Sequence, residues 1–263
     1  MGHSIRWLYS YPWNPIGGTV LLPYLLVDAG STLLFPDSAL VCQVARKHGH
    51  NLPEDRVRRT MAEWVWEYDE AIRRGRDAAH FEAFLLWVLE HVGVPAEAAA
   101  PTAMELWKLD TDQSLWSVTF PWVHETLSAL AGQGYRLSVI SNADGRVEEG
   151  LQRVGLAGHF ERIFDSHLVG YEKPDVRLFQ QAVSQLGVLP ARCLYVGDVY
   201  YIDVLGANRS GIAAVHLDPY GLYEGWPGYH IPNLAALPAF LSQHPNWQGE
   251  EFFPLRDDTP LRA

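Results

Sequence analysis

The sequence predicts an α/β fold, a parallel sheet with helices on both faces, broken early by a helical insertion. Three observations carry this reading. An apolar run at residues 25–27 stops at Asp28 and gives way to small and hydroxylated residues, as a buried parallel strand does before a turn. From Pro121 onward, apolar runs of strand length alternate with stretches of helical spacing. Between residues 37 and 118 the apolar spacing is helical throughout, with no convincing strand.

Taken in order, residues 1–18 hold Trp7, Tyr9, Tyr11 and Trp13 around Pro12 and Pro15 and show no period. They read as an extended aromatic arm. The first strand follows and ends at Asp28. Residues 38–45 carry apolar side chains on one helical face, closed by Gly49. Pro53, Glu54 and Asp55 read as a helix start, with proline near the first position and acids in the first turn. That helix runs through Met61, Trp64, Val65 and Tyr68 toward Gly75. Phe81, Phe84, Leu85, Val88 and Leu89 form a third stripe, and residues 96–109 a fourth. The insertion is thus a small helical bundle.

The later part alternates. Helices are expected at 122–131, 146–154, 175–186, 202–209 and 233–243, and strands at 135–140, 163–164, 193–196 and 213–217. The chain therefore divides into an arm at 1–18, a core at 19–36 and 119–245, a helical bundle at 37–118, and a loosely held tail at 246–263.

Composition excludes several classes. A formal net charge of −11 leaves no basic stripe to displace the counterions of a nucleic acid. Short arginine clusters such as Arg56, Arg58 and Arg59 fall in Glu-rich helical patterns and read as solvated faces. The longest apolar run, residues 20–27, contains Pro23 and is far short of the roughly 20 residues of a membrane span. It leads into Asp28 and not into a small-residue cleavage site. The two cysteines, Cys42 and Cys193, lie in apolar patterns and suggest no disulfide framework, so a cytoplasmic setting is expected. The sequence sets no oligomeric state, although the arm's aromatics offer a surface for an interface.

Four strand ends bring polar groups to one edge of the sheet, where open α/β sheets bind ligands. They are Asp28, Ser141 with Asn142, the segment Glu172-Lys173-Pro174, and Gly197-Asp198. Each has an ordinary structural reading. Asp28 and Asp198 could cap turns or helices, Ser141 and Asn142 could form a turn, and Lys173 could be solvated before a proline-led helix. Together they read as a site, because two carboxylates, a hydroxyl and a lysine converge.

These residues resemble the motifs of the haloacid dehalogenase (HAD) superfamily. Asp28-Ala29-Gly30-Ser31-Thr32 fits the first and last positions of its Asp-x-Asp-x-Thr motif. Ser141 ending a core strand, Lys173 before Pro174, and Gly197-Asp198 with Asp203 five positions on fit the other three motifs. The resemblance covers residues 20–36 and 119–220, and makes 37–118 a helical C1-type cap on a Rossmann-like core. It implies a subfamily I hydrolase, with Asp28 as nucleophile forming an aspartyl-phosphate. It implies Mg²⁺ held by Asp28, Asp198 and the backbone carbonyl of Gly30, with Asp203 holding a metal-bound water or orienting Lys173. Ser141 and Asn142 would bind the transferring phosphoryl group, Thr32 would support the nucleophile loop beside it, and Lys173 would offset negative charge.

One position departs from the pattern. Gly30 stands where phosphatases of the superfamily carry the acid that protonates the leaving group and then activates water for hydrolysis of the intermediate, help typically worth roughly 10² to 10⁴ in rate. His48, His50, Glu63 and Asp69 are cap residues able to carry a proton in its place. The expected function is a Mg²⁺-dependent phosphatase of a small phosphorylated metabolite, favouring good leaving groups. Two alternatives stand beside it. One is cleavage of a C–P bond, with Lys47 or Lys108 as a Schiff base, or of a C–halogen bond. The other is a protein that binds phosphate and Mg²⁺ with little turnover.

Overall fold

The computed structural model describes residues 22–76 and 83–254. The aromatic arm, Phe81 and the last acidic residues of the tail, Asp257 and Asp258, lie outside the described residues.

The central sheet has six strands in the order β5-β4-β1-β6-β7-β8, each pairing parallel. These are β1 (Tyr24–Val27), β4 (Leu137–Ser141), β5 (Ile163–Asp165), β6 (Cys193–Gly197), β7 (Ala213–Leu217) and β8 (His230–Ile231). Side chains alternate between two buried faces, as the two-residue period of a strand requires. Leu25 and Val27 of β1 join Leu194 and Val196 of β6 on one face. Tyr24 and Leu26 join Cys193 and Tyr195 on the other.

Helices α5 (Pro121–Gly132), α6 (Val147–Arg153) and α10 (Leu237–Gln243) cover the first face through Leu127, Leu151 and Leu237. On the second face lie α8 (Val176–Leu186) and α9 (Leu205–Arg209), through Phe179 and Leu205. A four-residue helix, α7 (Ser166–Val169), follows β5. From β1 the chain builds outward to β4 and β5, then returns to β6 on the opposite side of β1. The direction of winding reverses around β1, and a crevice forms at its C-terminal end.

Between β1 and β4 lie α1 (Ser38–Lys47), α2 (Glu54–Arg73), α3 (Phe84–His91) and α4 (Ala96–Gln113). They enclose a core of their own, built on Val41, Val57, Trp64, Phe84, Val88 and Leu106. The Asp37 side chain caps α1 by accepting the Leu40 N–H at 2.8 Å. A two-stranded antiparallel ribbon carries the chain in and out: β2 (Phe35–Pro36) pairs with β3 (Trp116–Val118).

Three features differ from the sequence expectation. β2, β3 and β8 are too short for a two-residue period to show. The helix expected at 202–209 begins earlier, with a π turn at Tyr200–Val204. Side-chain acceptors hold the N–H groups at its start: Asp203 Oδ2, within the turn, takes Val199 N, and Asp69 of α2 takes Tyr200 N and Tyr201 N, each at 2.9 Å. The third difference is the start of the tail. Trp247 and Phe252 bury in the first-face core, and Asn208 Nδ2 donates to the Phe252 carbonyl at 3.0 Å. Residues 246–254 are therefore part of the core packing, driven by two large aromatic side chains.

Candidate active site

Asp28 leaves β1 at the crevice, its N–H bound to the Val196 carbonyl of β6 at 2.9 Å. A tight turn follows. The N–H groups of Leu33 and Leu34 both reach the Ala29 carbonyl at 2.9 Å, and Ser31 takes a left-handed φ of 53°. The turn directs Asp28 into the crevice and buries Thr32, which is 1% exposed and whose Oγ1 has no hydrogen-bond partner among the described residues.

Lys173 is the buried cation of the site. Its Nζ donates to Asp28 Oδ1 at 2.5 Å, Asp203 Oδ1 at 2.7 Å and the Tyr195 hydroxyl at 2.9 Å. All three ammonium protons are thereby used. Asn142, at the end of β4, sets the backbone of Lys173 from both sides. Its Nδ2 donates to the Lys173 carbonyl at 2.9 Å and its Oδ1 accepts the Lys173 N–H at 2.7 Å. The sequence places Asn142 on the phosphoryl group; in the structure its amide is spent positioning the lysine. Ser141, one residue earlier, lines the crevice beside Asp28.

Gly197 and Asp203 explain each other. A Cβ at Gly197 would stand 2.4 Å from Asp203 Cγ, so only glycine lets that carboxylate reach the strand end. Asp203 accepts from Lys173, from the Tyr195 hydroxyl at 3.1 Å and from Val199 N. Of its two expected roles, these contacts match the one that orients Lys173. Asp198 projects beside it, its backbone carbonyl 2.9 Å from His216 Nε2.

One carboxylate oxygen each of Asp28, Asp198 and Asp203 lies within 4.8 Å of the others. Three carboxylates thus face one ammonium. Burial raises the Asp28 carboxyl to about 6, opposed by the Lys173 charge and assisted by Asp203. Burial, then the charges of Asp28 and Asp203, hold Asp198 well above the ordinary carboxylate range. Burial would lower Lys173, but Asp203 and Asp28 outweigh it and the ammonium is held above its ordinary value. The surplus of negative charge in an all-oxygen donor set fits a hard divalent cation such as Mg²⁺.

Gly30 completes the floor. A Cβ there would meet Trp116 Nε1 of β3 at 3.5 Å and Asp28 Oδ2 at 3.9 Å, both ordinary contacts. None of the four proton-carrying residues expected from the helical insert lines the cavity. His48 Nε2 lies 3.0 Å from Glu105, and Glu63 pairs with Arg59 at 3.0 Å on the outer face of α2. Asp69 is fully buried against Tyr200, Tyr201 and the Tyr223 hydroxyl, the last at 2.6 Å. Lys47 pairs with Glu105 at 2.9 Å and Lys108 is exposed, and neither lines the cavity. A Schiff base on either lysine therefore finds no support in this geometry.

Sequence reasoning missed Tyr195 and Trp116. Tyr195 sits in a strand whose apolar neighbours make it look like core, and Trp116 sits in a three-residue strand. Their only signals are the two-residue offset of Tyr195 from Gly197, which turns it to the Lys173 side, and the return of Trp116 beside the first strand's turn.

Residues 88–217 match the family model described as Haloacid dehalogenase-like hydrolase. The chain is 38% identical over 149 residues to Haloacid dehalogenase-like hydrolase domain-containing protein 3 of Bos taurus, covering 54% of this chain and 59% of that protein. It is 29% identical over 208 residues to Glyceraldehyde 3-phosphate phosphatase of Methanopyrus kandleri, covering 75% of this chain and 84% of that protein. The chain spans about three fifths of the length of the first curated relatives it matches. Among solved structures, the HAD-hydrolase YfnB of Bacillus subtilis, bound to magnesium, superposes with a TM-score of 0.58 at 20% identity. That likeness covers 84% of this chain and 99% of the other, and it shows the shared fold.

Proposed function

The chain belongs to the haloacid dehalogenase-like hydrolases, and on that premise we propose that it is a Mg²⁺-dependent phosphohydrolase with Asp28 as its nucleophile. The observation that carries the reading is the cluster of buried Asp28, Lys173 and Asp203 with half-buried Asp198 in the crevice at the end of β1. The phosphatase names among its relatives support it.

Lys173 holds Asp28 Oδ1, which leaves Oδ2 on the side of Gly30 to attack phosphorus. The Asp28–phosphorus bond forms as the bond to the leaving oxygen breaks, and that oxygen keeps the electron pair. Water then attacks phosphorus, releasing phosphate and restoring the carboxylate. Asp28, Asp198 and the Gly30 carbonyl would hold Mg²⁺, which when bound neutralises charge on the phosphoryl oxygens. Asp203 and Tyr195 keep Lys173 in place, and Asn142 fixes its backbone. Ser141 and Thr32 are the hydroxyls on the cavity wall able to reach the phosphoryl group. Residues 37–118 serve as the cap over this site.

Gly30 favours a second reading, a protein that binds phosphate and Mg²⁺ with little turnover. A screen of small phosphorylated molecules with and without Mg²⁺, beside Asp28→Ala, decides between them. Mg²⁺-dependent phosphate release that the variant loses is the expected result. No release from any substrate, with phosphate binding retained, would establish the second reading instead.

A further inference from the structure

The cavity that begins at Asp28 continues between the core and the helical insert, with a volume of about 1640 Å³. That is ample for a drug-sized ligand. Its insert side is apolar and aromatic, formed by Met61, Trp64, Val65, Phe84 and Trp116. Trp116 is the partly exposed ring, and Trp64 and Phe84, buried in the insert's own core, back it. Trp64 meets Phe84 edge-on with centroids 5.0 Å apart, and Phe84 meets Trp116 at 5.7 Å. The wall reaches the reacting centre itself, because the Trp116 indole occupies the space beside Gly30 on the Asp28 Oδ2 side.

Cations in the described lining are already paired. Lys173 is saturated by Asp28, Asp203 and Tyr195. Arg58 pairs with Glu54 at 2.5 Å and with Asp55. Arg146 binds Asp144 and the carbonyls of Thr111 and Asp110 at 3.0 Å, and Arg153 pairs with Glu149 at 3.1 Å. Each of these cations is already matched by an acid, so a second anionic group on the substrate, such as a carboxylate, would meet no surplus positive charge in the described lining.

We propose that the substrate is an aryl phosphate, a single phosphoryl group on an uncharged flat aromatic alcohol whose ring lies against Trp116. The inference rests on the phosphohydrolase reading and deepens it. The missing acid at position 30 and the aromatic wall point to the same compound class. A phenol-type oxygen leaves with its electron pair far more readily than an alkyl oxygen, so it needs no proton from the protein at that moment. The aryloxide takes its proton from solvent afterwards, and water cleaves the Asp28 phosphoryl bond as in the proposed cycle.

The test compares phenyl phosphate with 2-naphthyl phosphate, whose leaving groups are of similar acidity but differ by one ring. Acetyl phosphate serves as a small substrate with a good leaving group, and all assays contain Mg²⁺. The naphthyl ester should exceed the phenyl ester in kcat/KM by about tenfold, the scale of burying one more apolar ring edge. Trp116→Ala should bring that ratio toward one. Independently of any variant, 2-naphthol should inhibit acetyl phosphate hydrolysis competitively, about tenfold more tightly than phenol. Asp28-dependent hydrolysis of acetyl phosphate with equal rates for both aryl esters, or equal inhibition by both alcohols, overturns the aryl assignment and leaves the phosphohydrolase reading standing. No Asp28-dependent phosphate release from any of the three overturns both.

Discussion

Trp116 Nε1 lies 3.5 Å from the point where a Cβ on Gly30 would stand, so an indole borders the position that phosphatases of this superfamily fill with an acid. The room for a Cβ makes the substitution Gly30→Asp sterically admissible. It should raise kcat on alkyl phosphates by roughly 10² to 10⁴ and change aryl or acyl phosphates little. Steady-state rates across leaving groups of graded acidity check this. An unchanged alkyl rate in a folded variant would mean that proton transfer does not limit turnover.

Tyr195→Phe removes one acceptor of the Lys173 ammonium and one donor to Asp203 and to the Ile140 carbonyl, the last now bound at 2.9 Å. The buried groups it leaves behind should cost about 1–3 kcal/mol of stability, measured by urea denaturation. With Lys173 less firmly held, kcat should fall on the order of tenfold while KM moves less.

Mg²⁺ should raise the melting temperature of the wild type, by about 2.7 kcal/mol of stability at a hundredfold excess over its Kd. Asp198→Asn should abolish most of that gain because it removes one of the three clustered carboxylates. Calorimetric titration of both proteins reads this without any substrate.

The Asp69 carboxyl is raised to about 7, first by its burial, against the opposing hydrogen bonds from Tyr223, Tyr201 and Tyr200. Its unfolded value is about 3.9. Below about pH 4 it is protonated in both states and burial carries no charge penalty. As pH rises toward about 7 the unfolded chain ionises first, so the folded state loses relative stability across that window; above it both states are ionised and the loss is complete. Asp69→Asn should flatten the dependence between those limits. Thermal melts at half-unit pH steps would show wild type and variant running parallel if the carboxyl does not titrate there.

Much of the sheet was legible because each core strand is a contiguous apolar run that ends in a polar group. Leu25 to Val27 before Asp28 and Leu194 to Val196 before Gly197 are examples. The placement of Asp28 and Asp198 was legible for the same reason, since a carboxylate directly after an apolar strand is visible in one dimension. What the sequence hid was set by partners far along the chain. Asn142 reads as a turn former until Lys173 arrives 31 residues later to take both ends of its amide. Asp69 reads as an acid of the helical insert able to carry a proton to the site, but it is fully buried where Tyr223 and the π turn bring three donors to it. Trp247 and Phe252 sit in a polar stretch with no period, and only the sheet face that receives them makes them core.

The pairing of Phe35 with Val118 has one further consequence. Paired strands hold their Cα atoms about 5 Å apart, so the chain leaves the core and re-enters it at nearly one point. To the sheet, everything between is a loop whose closure cost grows only with the logarithm of its length. The register of β1 against β4 therefore does not depend on what is threaded between them. The ribbon is a socket, and the insert is a part that can be exchanged while the sheet beneath it stays fixed.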